Sequence, residues 1–275
     1  MEFTGPIIVL TPGRVGTRTV TTSLISAGFA AIQAHFVGPE LDDSAASLSE
    51  QGMLAEHAQK LIRSIEIEAA IRRARLLQER LSLVLLIRDP VQRAISTIFN
   101  KLPDGALDKR CEAVGIDHLA EEMSATVRAR MPKHLKRFVN WYRNTVPFAL
   151  GVAALPSRGA VPYSIFETPT ARCLFMATEH MDALAPALKE FTGSDIVPTP
   201  QGLSSRANRN GAELRQRLEA SVTVGPYALA TIYREPAMRA AYLPEELSAF
   251  QAKWRRGALF DRLKADLRYI ARQKP

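Results

Sequence analysis

Cysteine is scarce in this chain. Of 275 residues two are cysteines, Cys111 and Cys173, far apart and in no ligand pattern. That argues against a disulfide scaffold and fits a reducing compartment. Long apolar runs are missing as well. No window approaches the roughly 18–20 consecutive apolar residues that a membrane-spanning helix needs. The opening Met-Glu-Phe-Thr-Gly-Pro-Ile-Ile-Val-Leu lacks the basic segment and apolar stretch of a signal peptide. A soluble, cytoplasmic protein is expected. The five histidines belong to no metal-ligand pattern, so no metal is expected. Internal repeats and low-complexity tracts are absent, which removes solenoids and disordered linkers from consideration.

What is present is ordinary globular composition, 47% hydrophobic and 23% charged, enough to bury a full core. There are 36 Lys and Arg against 28 Asp and Glu, a net charge of +8 that favours anionic ligands. Much of the excess sits between Lys253 and Pro275, where eight basic residues face two acidic ones. A helix over about 257–272 places Leu259, Leu263, Leu267 and Ile270 on one stripe, expected to dock on the core. Its charge suits either a solubilising surface or peripheral contact with an anionic membrane or polymer.

Strands are expected at 7–11, 29–37, 82–87, 160–166 and 172–177, the last two joined by a Thr-Pro turn. The run 82–87 is apolar on both faces, as in the centre of a parallel sheet. Helices are expected at 19–27, 51–80, from Pro90, at 115–146, 181–191, 209–221, 244–255 and 257–272, with 39–50 a loop. In the long helix Leu54, Ala58, Leu61, Ile65 and Ala69 form the expected apolar stripe, while Glu56–Lys60 and Glu68–Arg72 are supportive pairs. Strands alternating with helices indicate an α/β fold with a largely parallel central sheet flanked by helices. The organisation expected is a single domain over 1–275, with a helical insertion at about 104–150 and the basic C-terminal helix.

Two segments carry chemistry. The first is Pro12-Gly13-Arg14-Val15-Gly16-Thr17-Arg18-Thr19, between a buried strand and a helix. Its glycines permit a tight turn that presents backbone N–H groups, and the helix start adds partial positive charge. Arg14, Arg18 and the hydroxyls of Thr17 and Thr19 can complete a cradle for a phosphate or sulfate. The Gly-x4-Gly-Lys-[Ser/Thr] loop of nucleoside triphosphatases and the Gly-x-Gly-x-x-Gly of dinucleotide folds are both absent. The second segment is Arg88-Asp89-Pro90-Val-Gln-Arg93-Ala-Ile-Ser96. Here an arginine leaves a buried strand and a serine follows on the next helix, a guanidinium and a hydroxyl suited to a phosphate monoester.

In these two segments the chain resembles the sulfotransferases that use 3′-phosphoadenosine 5′-phosphosulfate (PAPS). Gly16, Thr17 and Arg18 fall on the Gly-Thr-Thr of the family's 5′-phosphosulfate loop, and Arg88 and Ser96 on its 3′-phosphate pair. Leu174 to Met181 is similar to a strand ending in Tyr-Glu-Asp-Leu, with only Glu179 kept. A narrower resemblance is to bacterial capsular polysaccharide synthesis proteins of the same superfamily. It runs through Gly13-Arg14-Val15-Gly16, His35-Phe36, Asn140-Trp141-Tyr142 and Tyr242 to Trp254.

The resemblance implies a three-layer, P-loop-like fold and sulfuryl transfer from PAPS to a hydroxyl, without a metal. It also implies a carbohydrate or glycolipid acceptor and no nucleic-acid partner. Gly13, Arg14, Val15, Gly16, Thr17, Arg18 and Thr19 would bind the 5′ end of the donor, and Arg88 and Ser96 its 3′-phosphate. His35 looks like the strand-end base of uronyl 2-O-sulfotransferases. Arg14 replaces the family's loop lysine; it keeps the positive charge but cannot readily give up a proton. Two rival readings stay open: a nucleotide phosphotransferase, and a non-catalytic sulfotransferase-like protein of polysaccharide assembly.

Other residues have two readings each. Glu179 suits a structural or a basic role. His134 lies on a basic face or packs. Trp141 and Tyr142, with Arg137 and Arg143, could stack a sugar but also read as the buried side of an amphipathic helix. Arg255-Arg256-Gly257 resembles a further 3′-phosphate contact of soluble sulfotransferases or belongs to the tail helix.

Overall fold

Five strands form one sheet in the computed structural model, which describes residues 5–50, 54–99, 106–201, 210–255 and 257–272. They are β1 (Ile7–Leu10), β2 (Ala31–Ala34), β3 (Leu81–Ile87), β4 (Tyr163–Glu167) and β5 (Ala171–Ala177), in the order β2-β1-β3-β5-β4. β2, β1, β3 and β5 run parallel, and β4 pairs antiparallel with β5. The fold is α/β, with helices flanking a mostly parallel sheet. The antiparallel edge comes from a hairpin closed by Thr168, whose hydroxyl accepts from the amides of Thr170 and Ala171 at 3.3 and 3.0 Å.

The chain divides into two compact units. The first holds residues 1–88, 139–201 and 239–242, and so the whole sheet. On one sheet face Ile7, Val9, Val84, Leu86, Leu174 and Met176 pack with Val20 and Leu24 of helix α1 (Thr17–Ser26), and with residues of a later helix, Leu184–Thr192. The alternate residues Ile8, Leu10, Leu83, Leu85, Cys173 and Phe175 are just as buried, so both faces are covered. Each such side chain stabilises the fold by about 1.5–3 kcal/mol relative to exposure.

Two expectations for this unit are corrected. Residues 39–50, expected as loop, form helix α2 (Pro39–Glu50). Pro39 opens it with φ already set, Glu40 and Asp42 complement the positive end of the helix, and Leu41 and Ser44 are buried. In helix α3 (Leu54–Leu77) the buried stripe is Ser64, Ile67, Ile71 and Ala74, while Ile65 stays 56% exposed and Ala58 and Ala69 are exposed too. The helix carries isoleucines on two faces, so spacing alone does not choose between them. The Glu68–Arg72 pair forms at 2.7 Å, and Glu68 also accepts from the Gly38 amide at 2.8 Å. The Glu56 side chain lies outside the described residues.

The second unit holds residues 89–138, 202–238 and 243–275, and among its described residues it has helices and connecting loops but no strand. Its helices include α4 (Pro90–Phe99), α5 (Ala106–Val114), the first part of α6 (Ile116–Leu150), α8 (Gly211–Ser221), α9 (Pro226–Tyr233), α11 (Pro244–Trp254) and α12 (Leu259–Ala271). Between these in the chain, α7 is Leu184–Thr192 and α10 is Pro236–Ala241. Asp89 is buried at the start of α4 and accepts from the amides of Val91 and Gln92, from Tyr233 Oη at 3.1 Å and from Trp254 Nε1 at 2.7 Å. One carboxylate therefore ties three helices together.

The tail helix overturns its expected docking. Leu259, Phe260, Leu263, Leu267 and Ile270 are 63, 65, 50, 68 and 43% exposed. The buried side is Asp266 and Tyr269, and Asp266 accepts from the Tyr227 and Ala228 amides at 3.1 and 2.9 Å, closing the start of α9. A carboxylate that meets orphan helix amides anchors α12 more specifically than an apolar stripe could. Among the described residues no helix is long and apolar enough to cross a membrane.

Candidate functional site

Parallel strands deliver their carboxyl ends to one edge, and in the first unit four of them do so together. In sheet order, β2 ends in His35, β1 in the loop Thr11–Gly16, β3 in Arg88, and β5 in Thr178 and Glu179. The chain leaves β1 toward β2 on one side and later returns to β3 on the other. The crevice beyond the strand ends at such a switch point is where open α/β sheets bind ligands.

The loop is held in a conformation few sequences tolerate. Gly13, Arg14 and Gly16 have φ of 75°, 61° and 78°. For arginine this left-handed conformation is uncommon and costs about 1 kcal/mol or more, a strain that gathers at functional sites. Thr178 fixes the loop to the sheet, its hydroxyl lying 2.9 Å from the carbonyls of both Val15 and Ile87. Gly16 caps α1 without a side chain, and the first turn holds no acid. Among the described residues no side chain accepts from the amides of Thr17, Arg18 or Thr19. The positive end of α1 is thus left open.

Three arginines stand in or beside the loop: Arg14 within it, Arg18 in the first turn of α1, and Arg88 in contact with its backbone. The Arg14 guanidinium is pushed below its ordinary range, first by burial and second by Arg18, two positive charges held close. Arg88 Nη1 donates to the Arg14 carbonyl at 3.4 Å, and its Nε lies 3.9 Å from Glu179 Oε1. Glu179 in turn accepts from Tyr242 Oη at 2.6 Å. Tyr242 and Glu179 hold the Arg88 guanidinium at the loop.

His35 sits on the other side of the loop. Its Nδ1 is 3.2 Å from the Thr11 carbonyl and 3.2 Å from Thr11 Oγ1. A carbonyl only accepts, so in this contact Nδ1 donates; in the neutral ring Nε2 is then the nitrogen with a lone pair. Trp141 Nε1 donates to the His35 carbonyl at 2.7 Å.

Of the residues marked in the sequence, Gly13 to Thr19, His35 and Arg88 come together in the first unit. Ser96 belongs to the second, buried on α4. The Thr17 and Thr19 hydroxyls are engaged elsewhere. Thr17 Oγ1 is 2.8 Å from Thr11 Oγ1, and Thr19 Oγ1 accepts from the Gln201 amide at 3.1 Å. Their backbone amides, not their hydroxyls, remain to meet a ligand.

Trp141 and Tyr142 are buried and stack no sugar, and His134 is buried too. Arg93 is lowered to about 10 by burial and then by Arg137. Arg256 lies outside the described residues. The parts played by Thr11, Thr178 and Tyr242 carried no local signal, since they act across the fold. Comparisons of the chain with protein-family models, with curated proteins and with solved structures found no match.

Proposed function

We propose that this protein is a sulfotransferase of three-layer, P-loop-like fold, moving a sulfuryl group from PAPS to a hydroxyl of a carbohydrate or glycolipid. The observation that carries the reading is the placement of Arg88 against the Arg14 carbonyl, beside the open start of α1. Positive groups thus line the switch-point crevice, as a nucleotide with two anionic ends requires. The site residues suit the donor: the α1 start has no side-chain cap and no acid in its first turn, Arg14 and Arg18 lie in the loop and that first turn, and Arg88 donates to the loop backbone.

PAPS supplies a sulfuryl group whose bond to the 5′-phosphate oxygen breaks as the acceptor oxygen bonds to sulfur. The α1 amides and Arg14 stabilise the negative charge on the departing phosphate. Arg14 acts by charge alone, since a guanidinium does not hand over a proton. His35 Nε2 takes the acceptor's proton. Arg88 holds the 3′-phosphate, positioned by Glu179 and Tyr242. The role given to Ser96 rests on its spacing from Arg88 in the sequence.

Calorimetric titration with 3′,5′-adenosine bisphosphate, with ATP plus magnesium as the rival, tests the reading. The bisphosphate is expected to bind more tightly, and Arg88→Ala to weaken it by about 2 kcal/mol, roughly 30-fold. His35→Ala is expected to leave binding intact and to depress labelled-sulfate transfer by roughly 100-fold or more. Preference for ATP with magnesium, or the reverse mutant pattern, overturns it.

A further inference from the structure

The exposed stripe of α12 is one continuous surface. At 100° per residue Leu259, Ile270, Leu263, Leu267 and Phe260 fall within a single arc of about 100°. All five are exposed, while Asp266 and Tyr269, about 20° and 80° beyond Leu259 on the same wheel, are the buried residues that fasten the helix. The helix is therefore firmly seated with its apolar side turned outward.

Beside the arc lies positive charge. Lys264 Nζ sits 4.3 Å over the Phe260 ring. Lys264 and Arg268, with Arg128, also line a cavity of about 350 Å³ that includes Ser221, Thr223 and Tyr269 and one acid, Asp261, so three cations stand there against a single carboxylate. An apolar arc flanked by cations matches an anionic lipid surface, with acyl chains against the arc and phosphates against the cations. A second copy of this helix would bring cations against cations.

We infer that α12 is an interfacial helix that seats the protein on an anionic membrane, its leucines and Phe260 among the acyl chains and Lys264, Arg268 and Arg128 on headgroup phosphates. Such seating would bring the protein to lipid-linked substrates, but it rests on the second unit alone and not on the nucleotide reading.

Flotation of the full chain with phosphatidylglycerol-containing and pure phosphatidylcholine vesicles tests it, using the wild type, Leu263→Gln/Leu267→Gln and Lys264→Gln/Arg268→Gln. All four substituted positions are exposed, Leu263 and Leu267 within the arc and Lys264 and Arg268 beside it, and circular dichroism checks that each variant folds. The expected result is salt-sensitive flotation with anionic vesicles only, reduced roughly tenfold or more in both variants. Absence of flotation, equal flotation with both vesicle types, or a concentration-dependent dimer that Leu263→Gln/Leu267→Gln abolishes in place of vesicle binding overturns it.

Discussion

The helix that follows Gly16 and the helices that follow Asp89 and Gly225 meet the same electrostatic problem in opposite ways. Each presents unpaired amides and a partial positive charge at its start. In the second unit both starts are closed by buried carboxylates, Asp89 on α4 and Asp266 on α9. In the first unit the start of α1 has no such partner among the described residues, and Arg18 stands in its first turn, where an acid would serve stability. The difference separates two uses of one feature. A closed start is part of the packing, whereas an open one flanked by cations forgoes stability and can accept an external anion.

The sharpest way to break this comparison is to open a closed start. Asp89→Ala removes the acceptor shared by two amides, Tyr233 Oη and Trp254 Nε1, most of it in a buried setting. A loss of about 4 kcal/mol of stability is expected in urea unfolding. Asp266→Ala orphans two amides at the start of α9 and loosens α12, for about 1.5 kcal/mol. Gly225→Ala should cost a similar amount, since a Cβ there would overlap the Asp266 carboxylate. If both aspartate variants unfold at wild-type urea concentrations, the closed starts are not structural.

The parts of this design that were legible in the sequence share a cause. β1, β3 and β5 announce themselves because both faces are buried and their runs are apolar but for Ser82 and Arg172 near the starts of β3 and β5. The loop after β1 is legible because a backbone with φ near +75° needs its glycines at fixed places. Arg88 is legible because a charge at the end of such a run has to leave the core. What was hidden depends on choices between faces or on distant partners. Spacing reveals that α3 and α12 have apolar faces, but not that Ile67 is buried in preference to Ile65, or that Asp266 seats α12 with its leucines outward. The Ser- and Asp-rich composition of 39–50 masked a helix whose Pro39 and early acids start it well. Short α9 and α10 were missed because helices of eight and six residues, mostly buried, expose too few side chains to set a period. At the site, Tyr242 reaches Glu179 and Trp141 reaches His35 from far along the chain; the segments that hold them could be marked in the sequence, but their partners could not.

The finest form of the comparison asks whether the open start of α1 can be closed at the expense of its ligand. Arg18 is exposed, stands in the first turn of α1 and is one of the two cations held close there. Arg18→Glu puts an acid where the helix favours one and relieves the repulsion on Arg14, so stability is expected to rise by about 0.5 kcal/mol. The same change sets a negative charge against the incoming nucleotide, and affinity for 3′,5′-adenosine bisphosphate is expected to fall by roughly tenfold or more. Stability and binding should therefore move in opposite directions on one substitution. A substitution that merely damaged the fold would lower both, and one on an idle surface would move neither. Urea midpoints and titration isotherms on the same preparation separate these cases. An unchanged isotherm would mean that this helix start, open as it is, does not face the ligand.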